Sequence, residues 1–140
     1  MTEHLVYEHL HEIASVGHVE IFINFAKANK IAIDEFFGHT SCLNGRLSLL
    51  KYLVVNKYAD PNKYMLNLAV EYGHIKVVKW LLSRRCPCDE EACELAAEKG
   101  NLKILKCLRS RGCPWVKQQI LSVAHENGHS NVINWVNNEQ

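Results

Sequence analysis

Residues 71–82 read Glu71-Tyr72-Gly73-His74-Ile75-Lys76-Val77-Val78-Lys79-Trp80-Leu81-Leu82, a glycine turn followed by an amphipathic helix. The pattern recurs outward in both directions. Gly100 opens Asn101-Leu102-Lys103-Ile104-Leu105-Lys106-Cys107-Leu108, and Gly128 opens His129-Ser130-Asn131-Val132-Ile133-Asn134-Trp135-Val136. Upstream, Gly45 precedes Arg46-Leu47-Ser48-Leu49-Leu50-Lys51-Tyr52-Leu53, and Gly17 precedes His18-Val19-Glu20-Ile21-Phe22-Ile23-Asn24-Phe25. The glycines at 17, 45, 73, 100 and 128 are spaced 28, 28, 27 and 28 residues apart. A fixed period in this range marks a stacked repeat array, in which no unit buries its apolar face alone.

The chain has 140 residues, is 48% hydrophobic and carries a formal net charge of +1. That size suits one domain with a real core, and five units fill it: 1–33, 34–60, 61–88, 89–115 and 116–140. The near-zero charge exerts no global pull on nucleic acid or acidic membranes. The opening residues lack a basic stretch followed by an apolar run, so no signal peptide is expected. No apolar run approaches the roughly 18 residues that span a bilayer. A soluble cytoplasmic protein is the expectation. Six cysteines raise the question of disulfides or zinc. Cys93 stands in the register of Leu66 and Leu121, and Cys107 in that of Trp80 and Trp135, as small buried hydrophobes do. Without a secretory signal, free thiols are expected. Cys86-Pro87-Cys88 with Cys93 or Cys113 could hold zinc, but the paired two-residue spacings of zinc sites are absent.

In chain order, Thr2 can cap a first helix whose buried face is Leu5, Leu10, Ile13 and Ala14, and Gly17 ends it. Val19, Ile21, Phe22 and Phe25 point inward from the second. The outward residues His4, Glu8, His11 and Glu12 suit an end cap. The second unit is the least regular. Asp34 can cap its first helix, Phe36 and Phe37 are bulky, and Gly38 weakens the helix by about 1 kcal/mol relative to alanine. Asp60 or Asn62 can cap the next helix. The third, fourth and fifth units then repeat one apolar pattern, with Ala69, Ala96 and Ala124 each four residues before the turn glycine. Small residues there let helices approach to about 8 Å. The fourth unit opens on Asp89-Glu90-Glu91, carboxylates where a helix dipole favours them. The polar tail Asn137-Asn138-Glu139-Gln140 suits a solvent-facing end.

The run from Leu66 to Leu82 resembles the core of an ankyrin repeat, and Asn56-Lys57-Tyr58-Ala59-Asp60-Pro61-Asn62 resembles the loop that ends one. The likeness extends over essentially the whole chain and is strongest in units three to five. The usual repeat is about 33 residues, so the protruding hairpin fingers should be cut down to turns, and the usual Thr-Pro-Leu-His tetrapeptide is absent. The loops Arg85-Cys86-Pro87-Cys88-Asp89-Glu90 and Gly112-Cys113-Pro114-Trp115 look like the short repeats found in giant DNA viruses of amoebae and in some protists. The resemblance implies an all-α solenoid of five stacked hairpins, roughly 40–50 Å long at 8–10 Å per unit. It implies a non-enzymatic scaffold that binds a protein partner through the concave face and loop tips; a monomer without cofactor or metal is the expectation. It also implies that His18, His74 and His129, each following a turn glycine, are structural.

His125-Glu126-Asn127-Gly128-His129 matches the zinc-protease string His-Glu-x-x-His, which needs both histidines on one face of one continuous helix. Here Gly128 is a turn, and the sister strings Val70-Glu71-Tyr72-Gly73-His74 and Ala97-Glu98-Lys99-Gly100-Asn101 lack the first histidine. A zinc hydrolase at His125, Glu126 and His129 is therefore a minor alternative. Charge is patterned: Lys51, Lys76, Lys79, Lys103 and Lys106 lie on second helices, and Glu71, Glu90, Glu91, Glu94 and Glu98 on first helices. Simple solvation explains this; an acidic concave groove selecting a basic partner segment is the sharper reading. Nucleic-acid binding by the basic convex face is another alternative, though no aromatic platform interleaves the lysines. The candidate partner-binding residues are Glu71, Tyr72, Glu94, Glu98, Lys99, Glu126 and Asn127. Tyr72 is a candidate aromatic anchor. Trp115 should pack under its loop, and Trp80 and Trp135 between outer helices.

Overall fold

The computed structural model describes residues 2–139. The expectations that touch Met1 and Gln140, at the two ends of the array, lie outside the described residues. Within them the chain forms ten helices in five hairpins and no strand. The pairs are α1 (Glu3–Val16) with α2 (Val19–Ala28), α3 (Phe36–Leu43) with α4 (Leu47–Val55), and α5 (Lys63–Glu71) with α6 (Ile75–Ser83). The last two are α7 (Glu90–Glu98) with α8 (Leu102–Ser110), and α9 (Lys117–Glu126) with α10 (Ser130–Asn138). The odd-numbered helices pack side by side from α1 through α9 as an inner layer, and α2 with α4 and α6 with α8 pack in the outer layer. The chain is thus an all-α, ankyrin-like stack. No helix among the described residues is long and apolar enough to cross a membrane.

The turns explain the period. In the third hairpin the amide of His74 donates to the Ala69 carbonyl at 2.8 Å and that of Gly73 to Val70 at 3.1 Å, the paired bonds of a Schellman cap. The same six-to-one bond recurs from Arg46 to Ser41, Asn101 to Ala96 and His129 to Ala124. Second helices close the same way, with Lys30, Lys57, Arg85 and Gly112 in the left-handed region. The bonds there run from Ile31 to Ala26, Tyr58 to Leu53, Cys86 to Leu81 and Cys113 to Leu108. One local signal therefore ends every helix of the three central hairpins and sets the inter-unit loop length.

Counting back from each turn glycine separates the two faces of the inner helices. Positions eight, seven, four and three before it are buried throughout α3, α5 and α7: Phe37, Gly38, Ser41 and Cys42; Met65, Leu66, Ala69 and Val70; Ala92, Cys93, Ala96 and Ala97. These hold the stack together. Ser41 occupies the alanine position and hides its hydroxyl by donating to the Phe37 carbonyl at 2.7 Å. Gly38 is required by close approach: a Cβ there would lie 2.6 Å from Met65 Cε and 2.9 Å from Ala59 Cβ.

Side chains also stitch successive turns. His74 Nε2 donates to the Leu43 carbonyl at 2.8 Å, and His129 Nε2 to the Glu98 carbonyl at 2.7 Å. Arg46 Nε reaches the Ser15 carbonyl at 2.6 Å in the same register. The implied structural role holds for His74 and His129, whereas His18, in the first hairpin, is exposed.

Several sequence expectations are corrected. Leu5 and Ile21 are each 53% exposed rather than inward, and the first hairpin buries a narrower stripe centred on Leu10, Ala14, Phe22 and Ala26. Thr2 makes no side-chain cap bond. Asn62, not Asp60, caps α5, accepting from the Met65 amide at 3.1 Å. Cys88 and Cys113 form a disulfide rather than free thiols, because the loop before α7 and the loop after α8 bring their Cα atoms to 5.7 Å. Cys42, Cys86, Cys93 and Cys107 are free, and the first three are buried.

Candidate interaction surface

The complementary positions of each inner helix lie nine, six, five and two residues before the glycine, spaced as one helical face. They form an open stripe: Phe36, His39, Thr40 and Leu43 on α3; Tyr64, Asn67, Leu68 and Glu71 on α5; Glu91, Glu94, Leu95 and Glu98 on α7. Apart from Asn67, none of these is buried. Successive stripes stand side by side because the buried faces stack, so the inner layer presents a continuous surface about 8–10 Å per helix wide.

All seven candidate residues lie on the inner helices or at their C-terminal ends. Glu71 and Tyr72 end α5, with Tyr72 54% exposed. Glu94, Glu98 and Lys99 lie on or next to α7, with Lys99 Nζ 3.7 Å from Glu98 Oε1. Glu126 ends α9 and accepts from the Ser122 hydroxyl at 3.3 Å. Asn127 is engaged locally, its Nδ2 donating to the Val123 carbonyl at 2.9 Å. Glu71, Glu98 and Glu126 occupy one register of three successive units and make a row of carboxylates.

Sequence reasoning missed the N-terminal part of the surface. Tyr7, His11, Asp34, Phe36, His39 and Thr40, with Leu43 and Leu68, line an open groove of about 470 Å3. Tyr7 donates to Asp34 Oδ2 at 2.6 Å, and His11 Nδ1 meets Thr40 Oγ1 at 3.2 Å while its ring stacks on Phe37 at 4.4 Å. Burial first, and the Asp34 hydrogen bond second, push the Tyr7 hydroxyl up to about 12. Burial lowers the His11 pKa, with the Asp34 charge pulling the other way. Aligning every unit on its glycine would have exposed this set, because the register that holds Glu94 in the fourth unit holds His11, His39 and Asn67 in the first three.

The other candidate chemistries fare differently. His125 lies in the last turn of α9 and is exposed, whereas His129 precedes α10 beyond the turn and its ring is held by the Glu98 carbonyl. The two histidines therefore do not share a helix face, and the zinc-hydrolase alternative loses its geometry. Among the described residues no three His, Cys, Asp or Glu side chains are grouped to hold a metal. Burial raises the Cys42 thiol to about 12 and those of Cys86 and Cys93 to about 11, which keeps all three protonated and unreactive.

The outer-layer lysines Lys51, Lys76, Lys79, Lys103 and Lys106 are exposed as expected. The tryptophan faces beside them are covered by the protein's own cations: Arg84 over Trp80 at 5.8 Å, Lys106 over Trp135 at 5.8 Å and Arg109 over Trp115 at 4.5 Å. Trp115 and Trp135 also pack together at 5.7 Å. These rings do not offer open platforms for bases.

Comparison with known families bears on one stretch. Residues 62–91 match the ankyrin repeat family. That segment comprises α5, its glycine turn, α6 and the loop into α7. Among curated proteins none matches the chain.

Proposed function

We propose that this chain is a single domain of five short ankyrin-type units that binds another protein through the inner helices and adjoining turns, without chemistry of its own. The observation that carries this reading is the division of labour on the inner helices. Part of each inner helix is consumed by stacking, while the other side forms an open face bearing Phe36, Tyr64, Glu94 and Glu98, with Tyr72 beside it. Exposed aromatic side chains and accessible carboxylates on a packed helix layer are the materials of a protein-binding surface. The family match at residues 62–91 supports the same role. We place the protein in the cytoplasm as a monomer, and in a host cytoplasm if the likeness of its loops to viral repeats holds.

The test is a pull-down from the native source with the wild-type protein, a Tyr72→Ala/Glu98→Ala variant and a Lys79→Glu/Lys103→Glu variant. Partners captured by the wild type should be lost with the inner-face variant and retained with the outer-face one. The opposite pattern, or salt-dependent retention of nucleic acid lost with the outer-face variant, would replace this reading with one based on the basic face.

A further inference from the structure

The third and fourth hairpins close in the same way but with different bonds. Cys86 stands 13 residues after Gly73, and Cys113 stands 13 after Gly100. Each amide donates to a carbonyl of the preceding helix at 3.1 Å, Leu81 for Cys86 and Leu108 for Cys113. Each follows a left-handed residue, Arg85 or Gly112. The two sulfurs meet the loop that opens their own hairpin. In the third hairpin the Cys86 thiol donates to the Asn62 carbonyl at 3.2 Å, and the cysteine is free. In the fourth the Cys113 sulfur is bonded to Cys88, two residues before α7 begins. The loop geometry is thus set by backbone bonds that both hairpins share, and the disulfide is laid on top of it. With that bond open, the fourth hairpin retains the kind of closure that the third already uses.

The surroundings suit a bond that opens and recloses. Cys113 is buried, whereas Cys88 is half-buried beside exposed Pro87, so a small thiol approaches from the Cys88 side. Arg109 donates to the Cys113 carbonyl, which holds that residue independently of its sulfur. Burial pushes the thiols of Cys42, Cys86 and Cys93 up, so they stay protonated and do not compete for the bond. In a reducing compartment disulfides are transient and redox-sensing rather than permanent. Resting on the cytoplasmic, inner-face reading above, we propose that the Cys88–Cys113 pair is a redox switch that sets how firmly α7 holds its part of the inner face. A glutathione-type thiolate attacks the Cys88 sulfur and expels the Cys113 thiolate, which takes up a proton. A second such thiolate attacks the small-molecule sulfur of the mixed disulfide and releases Cys88, which is protonated in turn. One protein disulfide is reduced by two electrons while two small thiols are oxidised to one disulfide, and the oxidised couple reverses the sequence. The bond acts on the opened state: it closes the chain from Cys88 to Cys113 and so removes entropy from a fourth hairpin that has come apart. Reduction returns that entropy and lets α7 and α8 open up to about a hundredfold more often. Glu94 and Glu98 lie on α7 and leave the inner face with it.

Hydrogen exchange read by mass spectrometry tests this on the full chain, before and after millimolar reduced glutathione in native buffer. Peptide-mapped alkylation should gain Cys88 and Cys113 and leave Cys42, Cys86 and Cys93 protected. Amides of α7 and α8 should then exchange faster, by up to about a hundredfold, while the helical circular-dichroism signal stays unchanged. Oxidised glutathione should restore the slow exchange. A Cys88→Ser/Cys113→Ser variant should exchange like the reduced protein in either buffer. A bond that resists glutathione until urea is added would overturn the switch, as would unchanged exchange in α7 and α8 or loss of the helical signal on reduction. Each of those results leaves the inner-face reading standing, because that reading is decided by capture with the Tyr72→Ala/Glu98→Ala variant.

Discussion

At the residue scale, the turn glycines share a positive φ but not a surrounding. Gly45 has φ 67°, and a Cβ there would lie 2.5 Å from His74 Nδ1 of the next unit. Gly128 has φ 72° and nothing within 4 Å among the described residues. Alanine at either position adopts a left-handed conformation at about 1–2 kcal/mol, and only at Gly45 must the next histidine also move. Urea denaturation should therefore show Gly45→Ala more destabilised than Gly128→Ala, by more than the scatter between the two curves. His74→Ala should cost about 1 kcal/mol by leaving the Leu43 carbonyl without its donor, whereas His18→Ala should be neutral. The sequence made the glycines conspicuous through their spacing. It could not reveal the second constraint, since the atoms that crowd Gly17, Gly45 and Gly100 lie 29 residues further along.

At the element scale, the helix α3 inverts an intrinsic preference. Alanine stabilises a helix interior relative to glycine by about 1 kcal/mol, yet Gly38→Ala should lower the melting temperature. The added methyl would meet Ala59 Cβ, which cannot swing away, as well as the more yielding end of Met65. The helix α1 carries a pH dependence. Burial lowers the His11 pKa below its ordinary value of 6.5, so the folded state binds its proton less readily than the unfolded state. The associated stability is complete above pH 6.5 and is lost as pH falls from there toward the lowered folded value. Chemical denaturation of wild type and His11→Gln between pH 7 and pH 5 should converge as the pH drops. Both effects come from side chains that face a neighbouring hairpin. The amphipathic pattern read in sequence gives the buried stripe of α4, α6 and α8, but it takes Leu68 and Leu95, on the open stripe of α5 and α7, as inward, and it misassigns Leu5 and Ile21.

At the scale of the whole molecule, stability is a sum over hairpins and their junctions, and one junction is covalent. The Cys88–Cys113 disulfide closes a loop across the fourth hairpin, with a sequence separation of 25. Chain-entropy arguments give such a loop about 3 kcal/mol. Cys88→Ser should lose up to that amount under oxidising conditions and match the wild type once reductant is present, as read from paired urea titrations. The pairing was invisible in the repeat register, because Cys88 and Cys113 occupy different positions of their units and only the fold of the α8 return loop brings them together.

The 28-residue recurrence of glycine and apolar positions, a property of local turn and helix chemistry, determined by itself that the chain is a row of helical hairpins. It also marked the residues that stack, since period and burial are both set within one unit. Which polar residues gather on the inner face and which cysteines join were decided by tertiary structure alone. Those relations couple residues one unit or more apart, and no local rule carries information over that distance.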